Sequence, residues 1–308
     1  MKDKLCQWIV VIVLGVVLPS VALGFALRKE TVTNETPAIQ QSSSDSIKLL
    51  MPDGSVADME LEDYVLGVVL AEMPAQFETE ALKAQSVLAR TYVKKRAMTQ
   101  YKHAQAPVCT DPSCCQGFVK EAEYSGESSL LLKVKAAVNS TKGQVLTYNG
   151  ELIDATYFSC SGGRTEDALA VWGTDVPYLQ ATDSPGEEKS LQYLSTVTLD
   201  QAVCAEKLGL KQKISIDNVA YTDGGGVKEI YICGKRYTGL ELRQLLDLKS
   251  TAFQMNVVGS NVIITVRGYG HRVGMSQYGA DAMASQGCTY EQILAHYYKD
   301  TVLEKVFP

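Results

Sequence analysis

The feature that most restricts this chain is a stretch of 21 uncharged residues, 7–27, which follows Lys2 and Lys4 near the start of the sequence. An α-helix of that length spans about 30 Å, the thickness of the hydrocarbon layer of a bilayer. A cleaved signal peptide is the alternative, because small residues surround Gly24, but its apolar core usually has only ~7–15 residues. The sequence therefore predicts a retained membrane anchor over residues 1–29, with the amino terminus on the cytoplasmic side.

The rest of the chain divides into a polar segment and a long folded region. Residues 30–46 offer few side chains to bury, so they are expected to form a flexible linker. Residues 47–308 are expected to form an extracytoplasmic domain. The 308-residue chain has 29 Lys and Arg against 35 Asp and Glu, a net charge of −6, which argues against a partner made of nucleic acid.

The domain is predicted to have an α+β fold, with helices near its start packed on antiparallel strands. The spacing of apolar residues predicts a helix over 61–73 that Pro74 ends, and a second helix that Thr79 caps and that runs to about residue 100. The other predicted elements are hairpins around 52–55, 149–150 (strands 144–148 and 152–158) and 259–261, and a helix over 289–298. Helices early and strands later favour α+β over a regular parallel sheet.

Glu72 is a candidate catalytic acid. It lies at helical spacing from Val65, Val68 and Val69, so it shares the apolar face of the first helix. Burial disfavours a charged carboxylate and raises its pKa, and a general acid must keep its proton near neutral pH. The alternative is a glutamate at a helix end that simply reaches solvent beside Pro74.

Two basic residues of the second predicted helix, Lys83 and Arg90, lie on one face and bracket two turns of mostly small residues. Such a pair could bind an anionic or polyhydroxyl ligand. The turn over 74–78 would fold this helix back against Glu72, which makes the pair a candidate substrate contact. The alternative is a basic edge that contacts only solvent.

Residues 103–115 contain one of the three histidines and three of the eight cysteines of the chain. Zinc binds His nitrogen and Cys sulfur supplied by short loops. The predicted ligands are His103, Cys109 and Cys115, with a fourth position open or filled by Asp111 or Cys114. Adjacent Cys114 and Cys115 are expected to have difficulty in binding the same ion. A disulfide or free thiols remain the alternative, since an extracytoplasmic location permits both.

Two glycine-containing segments supply the last candidates. Ser161 lies where residues 159–165 leave a predicted strand, and glycines there let backbone approach a ligand. Residues 268–280 contain four glycines, with His271, Ser276 and Gln277 among them, a polar set that a structural turn does not need. Cys160 paired with His271 could be the nucleophile of a peptidase or acyltransferase, although a cysteine at a strand end is more often a buried apolar residue.

Several long motifs of the sequence occur in the same order as in one known family. They are YVLGVV (64–69), EMP (72–74), EALKAQSVLARTY (80–92), SGG (161–163), Trp172, PYL (177–179), GMSQYGA (274–280), IL (293–294) and HYY (296–298). On these residues the chain, from about Ile47 to its end, closely resembles the stage II sporulation protein D family.

The resemblance implies a membrane-anchored lytic transglycosylase that acts in septal thinning and engulfment during sporulation. Such an enzyme cuts peptidoglycan strands that lack stem peptides, between N-acetylmuramic acid and N-acetylglucosamine, and leaves 1,6-anhydro ends. The catalytic acid of the family falls on Glu72. The implied substrate-binding residues are Lys83, Arg90, Ser161, His271, Ser276 and Gln277. Members of clostridial type carry a zinc ion bound by one His and two Cys, which fits His103, Cys109 and Cys115.

The resemblance also implies partners: the sporulation amidase/endopeptidase protein P and the membrane protein M. Arg272 stands where similar proteins usually have Gly, and Cys160 stands where Ser is common, so both are expected to narrow or recharge the groove. Two other functions stay open. One is a hydrolase in which zinc activates water. The other is a non-catalytic enhancer of a partner amidase, since the related amidase-enhancer proteins share this domain.

Overall fold

The computed structural model describes residues 46–99 and 102–306 of the chain. These residues form one compact unit of helices and mainly antiparallel sheets, which confirms the predicted α+β class. The predicted anchor and nearly all of the predicted linker lie outside the described residues. Within 46–99 and 102–306, no helix has both the length and the apolar character that crossing a membrane requires.

The described part of the chain contains helices and strands in an irregular order. The helices are α1 Leu61–Glu72, α2 Thr79–Met98, α3 Ser128–Ser140, α4 Ala168–Trp172, α5 Gln201–Lys207, α6 Gly239–Leu245, α7 Gln277–Ser285 and α8 Tyr290–Tyr297. The strands are β1 Ser46–Leu50, β2 Val56–Glu60, β3 Val108–Cys109, β4 Gln144–Tyr148, β5 Glu151–Leu152, β6 Tyr157–Phe158, β7 Leu194–Asp200, β8 Ile216–Tyr221, β9 Val227–Ile232, β10 Lys235–Thr238, β11 Ala252–Val258, β12 Asn261–Arg267, β13 Met275–Ser276 and β14 Val302–Lys305.

Helix α2 lies at the centre of the larger hydrophobic core, where it packs against α1, α3, α7, α8 and β4. A helix that is covered on several sides buries more than one apolar stripe, and most residues of α2 from Ala81 to Val93 are buried. Helix α1 ends at Glu72, as Pro74 predicts. The predicted cap at Thr79 is wrong: Glu78 occupies the cap position without a side-chain bond, and its N–H donates instead to Asp281 of α7 at 2.7 Å.

A second core belongs to residues 194–267, which we call the inserted subdomain. It contains the antiparallel sheets β11-β12-β7 and β10-β9-β8 with helices α5 and α6. The two ends of the insertion meet, since the N–H of Gly268 donates to the carbonyl of Tyr193 at 2.9 Å. The hairpin predicted around 259–261 is β11 and β12, paired at Val258 and Asn261.

The Asn149-Gly150 hairpin is confirmed in part. Both residues have positive φ, 52° and 81°, as a tight hairpin turn requires, and they join β4 to β5. The second strand does not continue to Phe158. Instead β6 pairs in parallel with β13, with Tyr157 opposite Met275. This pairing places the segment after β6 beside the glycine-rich segment 268–280.

Candidate functional site

Glu72 is the last residue of α1, and its carboxylate is half-buried. Its Oε1 accepts a hydrogen bond from the backbone N–H of Gly117 at 2.5 Å. Burial raises the pKa of the Glu72 carboxyl above its ordinary value, and the Gly117 hydrogen bond opposes this shift only in part. The shift is in the direction that a general acid needs, because such an acid must keep its proton near neutral pH.

A chain of neutral hydrogen-bonding groups lies near this carboxyl. The hydroxyl of Tyr64 donates to Gln116 Oε1, and Gln116 Nε2 donates to the hydroxyl of Tyr157, each at 2.9 Å. Burial, with the nearby Glu72 charge as a smaller cause, raises the pKa of both tyrosines well above the ordinary value. Both phenols thus stay protonated. Sequence reasoning missed Gln116 and the two tyrosines as a network, because Gln116 lies 52 and 41 residues from its partners.

His103, Cys109, Cys114 and Cys115 form a compact cluster whose donor atoms all lie within 4.8 Å of one another. His103 Nε2 is 3.4 Å from Cys115 Sγ and 3.7 Å from Cys114 Sγ, and the two sulfurs are 3.9 Å apart. All four cluster side chains have the chemistry of metal ligands, and the three thiols are free. The cluster could therefore hold a metal ion.

The thiols of Cys114 and Cys115, which the sequence predicted to have difficulty in binding the same ion, both belong to this cluster. The carbonyl of Asp111 accepts the N–H groups of both cysteines, at 3.0 and 2.8 Å, and this turn brings both thiols to the same side. The Asp111 carboxylate instead accepts the N–H of Ser113 at 2.8 Å. Cys114, and not Asp111, therefore belongs to the cluster of four possible donors. Burial raises the pKa of Cys109 to about 11. The pKa of Cys114 is lowered instead, mainly by a hydrogen bond with the Lys102 side chain.

The cluster and the carboxyl of Glu72 are joined by a very short piece of chain. Cys115 is followed directly by Gln116, which bridges the two tyrosines, and by Gly117, which donates to Glu72. On the other side of the cluster, Cys109 is held in register by β3, which pairs in parallel with β1. Any interaction that holds His103, Cys109, Cys114 and Cys115 in place therefore also helps to position Gly117, whose N–H donates to Glu72.

The two predicted basic contacts differ in position. The side chain of Lys83 is 23% exposed, forms an ion pair with Glu80 at 2.6 Å and lies 5.6 Å from the centre of the Tyr290 ring. Arg90 is 0% exposed. Its guanidinium donates to both carboxylate oxygens of Glu62, at 2.9 and 2.6 Å. Arg90 has no exposed surface to offer a glycan in this structure, so its observed contacts are structural and its substrate contact stays a prediction.

Ser161 and Cys160 are both buried around one carboxylate. Glu187 Oε2 accepts hydrogen bonds from Ser161 Oγ and the N–H of Gly162 at 2.8 Å, and from Cys160 Sγ at 3.2 Å. Burial, with the Glu187 charge as a second cause, raises the pKa of Cys160 to about 12. The thiol thus stays protonated and donates a hydrogen bond to the buried Glu187 carboxylate. The alternative of a Cys160 nucleophile paired with His271 is therefore wrong. Ser161 likewise has its hydroxyl turned inward.

The glycine-rich segment brings one candidate, His271, to a partly exposed position. Its ring lies 5.3 Å from that of Trp172 and 5.6 Å from that of Phe158. Burial, and secondarily the charge of Arg243, lower the pKa of His271 to about 4, so the imidazole is neutral. Its Nδ1 accepts the N–H of Val273 at 3.1 Å.

The other two candidates of this segment are buried. Ser276 caps α7 by accepting the N–H of Gly279 at 3.2 Å, and Gln277 meets Gln85 of α2 at 3.5 Å. Both side chains lie inside the core, so the structure shows no surface of either for a substrate, and their direct contact with one stays a prediction.

Arg272 does not recharge the surface. It is 2% exposed and forms an ion pair with Glu166 at 3.2 Å. Its guanidinium also donates to the carbonyls of Ser161, Arg164 and Gly224 at 2.7 to 2.8 Å. Because its charge is compensated inside the protein, the expectation of an altered groove at this position is wrong. The residue instead holds the 159–165 segment in place.

Comparison with known proteins is consistent with these motifs. The family described as stage II sporulation protein matches residues 53–148, the segment that includes Glu72 and the metal-ligand cluster. Stage II sporulation protein D of Bacillus subtilis (strain 168) is 39% identical over 262 residues, 82% of this chain and 76% of that protein. The protein of the same name from Bacillus amyloliquefaciens is 38% identical over 256 residues, which cover 80% of this chain and 74% of that protein.

A further relative carries a different name. The amidase enhancer of Bacillus subtilis (strain 168) is 33% identical over 294 residues, which cover 77% of this chain and 40% of that protein. The two relatives of highest identity described above each match about four fifths of the chain at well over a third identity. The chain therefore belongs to the stage II sporulation protein D family.

Proposed function

We propose that this protein is a lytic transglycosylase of the bacterial cell wall that acts during sporulation. Its substrate would be peptidoglycan strands without stem peptides, cut between N-acetylmuramic acid and N-acetylglucosamine. The observation that carries the proposal is the environment of Glu72: a half-buried carboxyl with a raised pKa, at a helix end, beside neutral donors.

In this mechanism protonated Glu72 donates its proton to the glycosidic oxygen as the bond from that oxygen to C1 of muramic acid breaks. The resulting carboxylate then accepts the proton of the 6-hydroxyl of the same sugar as O6 bonds to C1 and closes the 1,6-anhydro ring. Glycosidases in general use two carboxylates. Here the substrate supplies its own nucleophile, so one carboxyl acts first as acid and then as base.

The groups around Glu72 would hold it ready for both steps. The N–H of Gly117 stabilises the carboxylate form and orients Oε1, while burial keeps the proton available. Tyr157, which is half-buried, offers a protonated hydroxyl near the carboxyl. Lys83 and His271 are partly exposed and remain proposed glycan contacts. The buried candidate residues would instead stabilise the segments that surround the bound glycan.

Zinc is the metal that best fits the cluster of one imidazole and three thiols, because softer nitrogen and sulfur donors in short loops are typical zinc ligands. Bound there, zinc would supply a structural crosslink. His103, Cys109, Cys114 and Cys115 would together supply the four protein ligands that structural zinc sites usually have, whereas catalytic sites keep one position for water. The arrangement therefore favours a bracing role over the alternative of a zinc-dependent hydrolase.

The test is mass spectrometry of the products that the full-length chain forms from strands freed of stem peptides. Wild-type protein is expected to give fragments with 1,6-anhydro ends, and Glu72→Gln is expected to give none while it unfolds at the same or a higher temperature. Fragments with reducing ends would show hydrolysis instead. Cleavage by Glu72→Gln at the wild-type rate would refute the assignment of the catalytic acid.

A second candidate function follows from the identity of 33% with an amidase enhancer. In that case the protein would bind glycan without cutting it and would stimulate a separate amidase. The discriminating experiment adds a cell-wall amidase to peptidoglycan with and without this protein. Faster release of stem peptides, with no glycan fragments from the protein alone, would favour the enhancer.

The proposed setting is the outer face of a membrane. Residues 1–29 would form the anchor, 30–46 the linker and 47–308 the extracytoplasmic catalytic domain, with proteins P and M as proposed partners. The basis is the uncharged run at 7–27. Protease added to intact protoplasts should digest the domain and leave an anchored fragment, and full protection of the domain would contradict this topology.

A further inference from the structure

The inserted subdomain and the glycine-rich segment enclose a groove that the site described above does not use. Its volume is about 740 Å³, and residues of three parts of the chain line it: Gln192 before the insertion, α6 and the loop after it, and Tyr269 just after the insertion ends. The groove thus exists only because both ends of the insertion return to the same place. We call it the junction groove.

The junction groove carries two cations. Arg243 is half-buried there, and the one described hydrogen bond of its guanidinium runs from Nε to the carbonyl of Leu248 at 3.3 Å. Lys249 donates to the amide oxygen of Gln192 at 2.8 Å. Among residues 46–99 and 102–306, neither cation forms an ion pair with a carboxylate. Asp247 is the one acidic residue that lines the groove, so two positive charges face one negative charge.

The same groove offers surfaces for a sugar ring. Tyr269 is 45% exposed, and its ring centre lies 5.7 Å from the Lys249 ammonium. Leu240 adds an exposed apolar side chain. Sites for small organic ligands combine such apolar faces with a few polar groups that fix orientation. The charge of Arg243 is also the second cause, after burial, that lowers the pKa of His271, so the groove lies near that imidazole.

We propose that the junction groove is a subsite for a muramic acid residue whose lactyl carboxylate is free. Arg243 and Lys249 would bind the carboxylate, and Tyr269 and Leu240 would contact the ring. A guanidinium binds a carboxylate through two parallel hydrogen bonds, and an excess of one positive charge matches a monoanion. The subsite rests on the proposed function, and it would explain how the protein selects strands without stem peptides over strands that carry them.

The selectivity follows from the chemistry of the lactyl group. In a strand that carries stem peptides the lactyl carbonyl is part of a neutral amide, and it carries no charge for Arg243 and Lys249 to bind. Removal of the peptide by hydrolysis of that amide adds water and releases a carboxylate. The junction groove would therefore distinguish a strand with free lactyl carboxylates from a strand that still carries stem peptides.

The experiment measures binding by isothermal titration calorimetry with the full-length chain, purified in detergent and carrying Glu72→Gln so that no strand is cut. The probes are strands freed of stem peptides, the same strands with their lactyl carboxylates converted to methylamides, and chito-oligosaccharides without lactyl groups. Arg243→Gln and Lys249→Gln remove the two cations. Lys228→Gln removes an exposed lysine of β9 outside the groove and is the matched control.

Each groove variant is expected to bind the carboxylate strands about tenfold more weakly, the loss of one charge-assisted hydrogen bond, and to bind the methylamide strands as the control does. Lys249→Arg, which keeps the charge, is expected to retain affinity. Equal affinity of Arg243→Gln and Lys228→Gln for carboxylate strands would overturn the proposal. An equal loss on all three probes would also overturn it, because the effect would then be on the fold.

A phosphate-bearing teichoic acid serves as a fourth probe. Tighter binding of teichoic acid than of carboxylate strands, lost in Arg243→Gln, would assign the junction groove to phosphate and refute the lactyl subsite. The proposed function fails separately: wild-type protein that shows carboxylate-dependent binding without anhydro products would refute the transglycosylase alone. Anhydro products with unaltered binding by both groove variants would refute the subsite alone.

Discussion

Replacement of Arg90 by methionine tests whether this residue is structural, as its burial indicates, or a glycan ligand, as the family resemblance implies. The guanidinium is fully buried and donates to Glu62 through two short hydrogen bonds and to the carbonyl of Gln144 at 3.0 Å. Methionine fills much of the same volume, so the main loss is the charge that compensates Glu62.

The magnitude follows from the exposure of the partner that is left behind. Removal of one member of a buried ion pair costs about 3–5 kcal/mol, and the Glu62 side chain is 20% exposed, so water can hydrate part of the charge. The expected loss is therefore at the low end, about 3 kcal/mol of the free energy of unfolding. For a domain of this size that lowers the melting temperature by roughly 6–12 °C.

The assay is urea unfolding of the full-length chain, read by circular dichroism. Lys83→Met is the matched control on the same helix, and its partly exposed pair with Glu80 should contribute less than about 1 kcal/mol. The double variant Arg90→Met with Glu62→Leu should recover most of the stability, since no uncompensated charge remains. If Arg90→Met unfolds like the wild type but binds glycan more weakly, the structural assignment is refuted.

Three further predictions concern the site and the cluster. Glu72→Gln should raise the free energy of unfolding at neutral pH and lose this advantage in acid, because a carboxyl with a raised pKa stabilises the native wild type only while it is protonated. Urea midpoints of both proteins at the two pH values measure the effect, and a wild type that is more stable than Glu72→Gln at neutral pH contradicts the prediction. Cys114→Ser should lose bound zinc whereas Asp111→Asn keeps it, by elemental analysis of purified protein; equal zinc contents would refute a fourth ligand at Cys114. Cys160→Ser should cleave glycan at the wild-type rate, since its hydroxyl can still donate to Glu187; loss of cleavage with intact folding would reinstate a role for the thiol.

Local spacing carried much of the sequence prediction. The period of apolar residues identified α1 and α2, and the proline after α1 set its end at Glu72. The His and Cys residues of the cluster could be found because they lie within thirteen residues of one another. Helix α3 was missed although Leu130, Val134, Ala137 and Val138 have helical spacing. Such features depend on neighbours a few residues apart.

The burial of Arg90 could not be read from its helix alone. Spacing shows that Lys83 and Arg90 share a face, but it does not show what covers that face. In the structure α2 is surrounded, and Glu62 and β4 meet the guanidinium. The same holds for Cys114, which the turn at Asp111 brings beside Cys115.

The fold class, the family and the candidate side chains for acid catalysis and metal binding could be read from the sequence alone. Which of these side chains are buried and which are exposed depends on the tertiary structure. Glu72 acquires its proton affinity from burial and its orientation from Gly117, 45 residues away. The junction groove joins Arg243 to Tyr269 across the end of a whole subdomain. The physical reason is that helical and strand patterns arise from nearby residues, whereas burial and hydrogen bonding of a side chain depend on distant segments brought together by packing.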